Sequence, residues 1–343
     1  MKKLIKSIIV NILIKTLEDR AVLQSIRSNG PKRVRTSIPF DNKPSPYLIQ
    51  KPSKHLKGEG VIFITSRFRS GSTLLWNLFR NIEGCTSYYE PFNERKWFDE
   101  ETRGNHVDKT HVGVDDYWHE YKELSDLSKF YDEKWIHKQI YMDEKSYNPN
   151  MEHFIDCIIE NTKGTPVMQF NRIDLRLPWI KKHYPKAKII HLYRNPRDVW
   201  ASFLTNKKVM TASNIESTYE DAFYLDVWCE DLADFYPFLD PAVTRHPYQR
   251  FYYLWKLSYL FGTEWADHSV SFEDLAYSPR DCIQSMFNNL GLNGDINELS
   301  KVIQPPPQHK WKEFAKDEWF LEHENHCESN LSLFFSQKNS GKE

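Results

Sequence analysis

Residues 60–79 read GVIFITSRFRSGSTLLWNLF, and their reading decides the fold. The run from Val61 to Thr65 is short, apolar and rich in β-branched residues, bounded by Gly60 and by a turn, which is the pattern of a strand buried on both faces. Leu74, Leu75, Leu78 and Phe79 then recur at helical spacing. Between strand and helix lies SRFRSGST, with Gly71 at the helix start, where backbone amides and the helix dipole favour an anion. Strand, anion-type turn and helix form the opening unit of a nucleotide-binding α/β fold.

The turn is not a Walker A loop. That loop needs a lysine for the β and γ phosphates, and here the lysine is absent while Ser66 or Arg67 stands where its first glycine would be. ATP with magnesium is therefore poorly served. What the turn offers is the amides of Ser70, Gly71, Ser72, Thr73 and Leu74, the hydroxyls of Ser72 and Thr73, and the guanidinium of Arg69 with Arg67 close by. These make a phosphate cradle without a metal clamp.

A second stretch of the same kind is KIIHLYRNPRDVWASF, residues 188–203. A strand runs into Arg194, Pro196 pre-sets a helix start, and Asp198 falls in the first turn. Arg194, Arg197 and Ser202 are expected to gather another anion on the same edge of the sheet. Further strands are read at PVMQF (166–170), AKIIHLY (187–193) and HSVSF (268–272), with helices between them, including aromatic-rich ones around 217–239 and 248–262. The fold class is thus α/β: a P-loop-type parallel sheet flanked by helices in a single domain. Residues 100–150, rich in charge and aromatics and without strand signal, read as a lid inserted over the carboxyl edge. The expected organisation is an N-terminal helical extension over 1–50, the domain over 51–330 and a C-terminal tail over 331–343.

Composition narrows the function classes. The 46 basic and 47 acidic side chains nearly cancel, so no nucleic-acid partner is expected and any anion must meet a local basic site. Five scattered cysteines without CxxC spacing suit reduced thiols in the cytoplasm. MKKLIKSIIVNILIK, residues 1–15, is broken by Lys6 and Asn11 and falls short of the roughly 20 apolar residues a span requires; a packed helix or peripheral membrane contact is expected. HENHC (323–327) lacks zincin spacing, and no metal is expected there or elsewhere.

In three stretches the chain resembles the sulfotransferase family, whose co-substrate is 3′-phosphoadenosine 5′-phosphosulfate (PAPS). FRSGSTLLWNLF is similar to the family's 5′-phosphosulfate loop, in the Arg-Ser-Gly-Ser/Thr form of carbohydrate and tyrosylprotein sulfotransferases. YRNPRDVWAS resembles the motif in which an arginine and a serine, here Arg194 and Ser202, hold the 3′-phosphate. VSFEDLAYSPRDCIQSMFNNLGL resembles a late family segment of strand and helix. The resemblance covers roughly residues 58–315 and implies sulfuryl transfer to a hydroxyl of a carbohydrate, a glycolipid or a hydrophobic small-molecule alcohol. It implies Glu90 as general base, with Glu94 its nearby substitute and His106, His111 and His137 of the lid as further alternatives. Related enzymes carry a lysine on the strand before the 3′-phosphate motif. Here PVMQFNR presents Gln169, which leaves Arg172 or Arg69 to steady the leaving phosphate, and Lys310 is a further contact to the donor. The competing readings are a P-loop ATP-dependent small-molecule kinase and a nucleotide-binding protein without catalysis.

Overall fold

The computed structural model describes residues 58–340; the expected N-terminal helix and its membrane contact lie outside them. The chain opens with β1 (Ile62–Ser66), α1 (Ser72–Arg80) and β2 (Cys85–Tyr89). The insertion that follows holds short 3-10 turns at His119–Glu123, Leu127–Lys129 and Glu133–Ile136, and no strand. Then come α2 (Pro149–Asn161), β3 (Thr165–Phe170), α3 (Leu177–His183), β4 (Lys188–Tyr193), α4 (Pro196–Phe203), α5 (Ile215–Thr218) and α6 (Leu225–Leu232). The chain continues with α7 (Pro247–Trp265), β5 (His268–Ser271), α8 (Phe272–Tyr277), α9 (Pro279–Leu290), α10 (Ile296–Lys301) and α11 (Asp317–Ser340). Among the described residues no helix is long and apolar enough to cross a membrane.

The five strands are all parallel, in the order β2-β3-β1-β4-β5. The period-two pleat of β1 sends Phe63 into the cluster beneath α2 and α3, and Ile62 and Ile64 into the one beneath α8 and α9. Both faces of β1 are therefore buried, as its unbroken apolar run requires. Since β1 is central and the chain leaves it first to one side and then to the other, a crevice opens at its carboxyl end. The turns after β1, β3 and β4 meet at that edge.

Two expectations are corrected. The helix read over 217–239 is broken, because the Asp221 carboxylate accepts the amides of Phe223, Leu225 and Asp226 at 3.1, 2.9 and 2.8 Å. That local capture competes with the helix ladder, and Tyr224 takes a positive φ of 62°. The tail read from residue 331 is the second half of α11, with Leu331 buried in the core. On the same helix His323 stacks on His246 with centroids 4.0 Å apart and the Cys327 thiol faces the Gln249 carbonyl, so HENHC serves packing.

Candidate active site

The turn after β1 is shaped by two left-handed residues, Arg69 at φ 65° and Gly71 at φ 91°. Glycine is required at 71 for a second reason: a Cβ there would lie 2.3 Å from the ring of Phe272. The amide of Ser70 closes onto the Arg67 carbonyl at 3.3 Å and that of Leu74 onto the Gly71 carbonyl at 3.1 Å. Those two amides are spent inside the turn. The amides of Gly71, Ser72 and Thr73 remain, since the first turn of α1 lacks intrahelical partners and takes no side-chain cap.

The arginines of the two motifs divide by partner. Arg67 is buried against Asp174 at 3.0 Å and lies 4.4 Å from the Trp228 ring centroid, so it holds β1 to the turn after β3 instead of facing an anion. Arg197 is bound to Glu324 at 2.6 Å and to Asp317, and it pins α11 instead of joining Arg194. Arg69 and Arg194, in contrast, bond to a hydroxyl and a carbonyl: Arg69 Nε donates to Ser202 Oγ at 3.1 Å, and an Arg194 amino group donates to the Arg69 carbonyl at 3.3 Å. Arg194 keeps a buried Nε without a partner and stacks 4.5 Å from the Phe272 ring centroid. Burial pulls its pKa below the ordinary arginine value, with Asp198 opposing. Guanidinium donors left unpaired in a cleft, beside free helix amides, are the chemistry an organic phosphate or phosphosulfate fits.

Glu90 directly follows β2 with a positive φ of 39°. Its side chain is buried, and three donors surround it: Asn171 Nδ2 at 2.6 Å on one oxygen, Asn93 Nδ2 at 2.8 Å and Arg172 at 2.9 Å on the other. Burial raises its pKa, and the Arg172 guanidinium beside it opposes the rise. Arg172 also binds Glu94 at 2.6 Å. Its charge is thus committed to two carboxylates, which makes it the support of Glu90 and leaves Arg69 to face the turn. Gln169 is fully buried and donates to Asn171 Oδ1 at 3.0 Å, one layer below.

The cleft is a cavity of about 700 Å³. Arg69, Gly71, Ser72, Thr73 and Leu74 form its floor and Arg194 and Ser202 one end. Glu90, Glu94 and Asn171 stand on one wall, and Phe68, Phe223 and Tyr224 line it with aromatic surface. Lys310 and Lys207 lie at the lining, as does His111 of the insertion; His106 and His137 do not. Sequence reasoning missed Asn93, Asn171 and Lys207. Asn171 carried a readable signal, a polar residue directly after a buried strand, whereas Lys207 sits in a loop without pattern.

The fold and cleft define an α/β protein with an amide-lined, arginine-flanked turn at the carboxyl edge of a parallel sheet. Residues 61–295 match the family model described as Sulfotransferase family, and the chain belongs to that family. Among solved structures it is similar to the sulfotransferase domain from the curacin biosynthetic pathway, at 15% identity and TM-score 0.38, covering 80% of this chain and 98% of that one. It is also similar to a sulfotransferase from Mycobacterium avium, at 11% identity and TM-score 0.40 over 71% and 67% of the two chains. A third, from Alicyclobacillus acidocaldarius, has 14% identity and TM-score 0.35 over 84% and 93%. No curated protein matches the chain.

Proposed function

We propose that the protein transfers a sulfuryl group from PAPS to an acceptor hydroxyl, with Glu90 as general base. The observation that carries this reading is a buried carboxylate, its pKa raised by burial and its oxygens held by Arg172, lining the same cavity as the free amides of the turn and Arg69. PAPS supplies an activated sulfuryl group whose leaving phosphate takes up negative charge. The amides of Gly71 to Thr73 and the guanidinium of Arg69 are the groups that neutralise that charge, and they need no metal to do so. Arg194 and Ser202 hold the 3′-phosphate, with Lys310 at the rim. The Glu90 carboxylate, held by Asn93, Asn171 and Arg172, lines the cavity and there accepts the proton of the acceptor hydroxyl. Asn93, Asn171 and Arg172 fix the carboxylate for that task.

Carbohydrate or glycolipid is the acceptor class favoured by the form of the loop, and Phe68, Phe223 and Tyr224 offer faces on which a sugar ring stacks. The same aromatic wall, continued by Leu204 and Val112, supports a hydrophobic small-molecule alcohol as the second reading. The test is Glu90→Gln. It keeps the size of the side chain but not the base, so turnover of the donor with an acceptor panel falls by about 10²–10⁴ while bisphosphate binding persists. Turnover near the wild-type level would remove Glu90 from the mechanism.

A further inference from the structure

We infer that His111 is a positioning residue of the anion-binding turn: the insertion presents its Nε2–H to Thr73, so that the threonine's own hydroxyl proton is free for the bound phosphate. The inference rests on the turn being the donor's phosphate site. His111 Nε2 lies 3.3 Å from Thr73 Oγ1, and its Nδ1 is hydrogen-bonded to the Tyr117 hydroxyl. That hydroxyl already accepts the amide of Asp108 at 3.0 Å. The phenol can give its one proton to Nδ1 or accept a proton from it; in the first arrangement, the one inferred here, the ring proton sits on Nε2, aimed at Thr73.

The charged and titratable groups around the ring are Asp108 and Tyr117 on the insertion, Arg69 on the turn and Tyr89 on β2. Burial lowers the pKa of His111, Arg69 adds to that and Asp108 opposes, which keeps the ring neutral as the tautomer requires. With one lone pair of Thr73 Oγ1 engaged by the imidazole, its proton turns on the Tyr89 hydroxyl 3.0 Å away or on an anion in the turn.

The contact is one of three along a single stripe of α1. Thr73, Asn77 and Arg80 follow each other at helical spacing. Asn77 donates to the Gly113 carbonyl at 3.4 Å, and Arg80 donates to Glu120 at 2.6 Å and to the Asp116 carbonyl at 2.9 Å. Arg80 alone fastens the insertion firmly. The long His111 contact adds little to that attachment, and its effect falls on the hydroxyl it touches.

The test is calorimetric titration of the full chain with adenosine 3′,5′-bisphosphate for wild type, Arg194→Ala, His111→Ala, His111→Gln, Thr73→Val and the double variant. His111→Ala raises Kd about tenfold, the loss of one charge-assisted contact. His111→Gln, whose amide reaches the place of Nε2–H, stays within about threefold of wild type. The double variant binds no more weakly than Thr73→Val, because the two residues act through one hydroxyl. The ring-nitrogen spectrum of the wild type shows the Nε2–H tautomer. Wild-type affinity in His111→Ala, with Arg194→Ala impaired, overturns this inference alone, as does additivity of the two losses or an Nδ1–H tautomer. Absence of bisphosphate binding by the wild type overturns both the inference and the reading on which it rests.

Discussion

Arg172→Met removes the one cation that compensates Glu90, and its cost follows from burial. The Arg172–Glu90 pair is 2.9 Å apart with side chains 1% and 5% exposed, so breaking it strands a carboxylate away from water, at about 3–5 kcal/mol. The second arm, to Glu94, meets a side chain 41% exposed and adds at most about 1 kcal/mol. In a chain of this length the loss lowers Tm by roughly 4–7 °C at neutral pH. The loss depends on pH with a definite sign. Burial already raises the pKa of Glu90 above its ordinary 4.5, and deleting Arg172 raises it further. A carboxyl with a raised folded-state pKa binds more protons folded than unfolded, so stability is recovered as pH falls through that value and lost as pH rises through it. Thermal denaturation of variant and wild type at pH 7.5 and pH 5.5 should show a gap that narrows in acid. Adding Glu90→Gln to Arg172→Met should return part of the loss at pH 7.5. A cost below about 1 kcal/mol, or a gap independent of pH, would refute the view of Arg172 as the support of Glu90.

Other outcomes follow from the same geometry. Gly71→Ala meets both a left-handed backbone and the Phe272 ring, and should cost about 2–4 kcal/mol in urea denaturation and abolish bisphosphate binding; stability within 0.5 kcal/mol of wild type would contradict it. Arg194→Ala should weaken adenosine 3′,5′-bisphosphate at least tenfold while leaving adenosine 5′-monophosphate, which lacks the 3′-phosphate, nearly unchanged in calorimetry. Arg197→Ala should lower Tm through loss of its ties to Glu324 and Asp317, with bisphosphate affinity intact.

Four of the five strands were legible as short apolar runs: besides β1, the runs read at 166–170, 187–193 and 268–272 agree with β3, β4 and β5 to within a residue at either end, whereas β2 carries no such run. The break at Asp221 was not, since one carboxylate capturing three amides leaves no trace in hydrophobic periodicity. Within the site, Arg69, Arg194 and Ser202 were readable from motifs that each follow a strand, and Glu90 from the family resemblance; all four line one cleft. Which arginine of each motif faces the cleft was not readable. Arg67 and Arg69 differ in sequence only by register, and what separates them is Asp174, brought over from the turn after β3. Arg197 is likewise withdrawn by Glu324 on the last helix, a partner that only tertiary packing supplies. The same holds for Arg172, whose commitment to Glu90 and Glu94 depends on β2 and β3 lying side by side.

The donor reading is tested most directly by metal-free calorimetric titration of the wild-type chain with adenosine 3′,5′-bisphosphate, set against ATP with magnesium. A turn without the Walker lysine, flanked by Arg69 and Arg194, predicts tight binding of the bisphosphate and weak binding of magnesium ATP. Preference for magnesium ATP would contradict it, and a kinase would take the place of the PAPS-dependent enzyme.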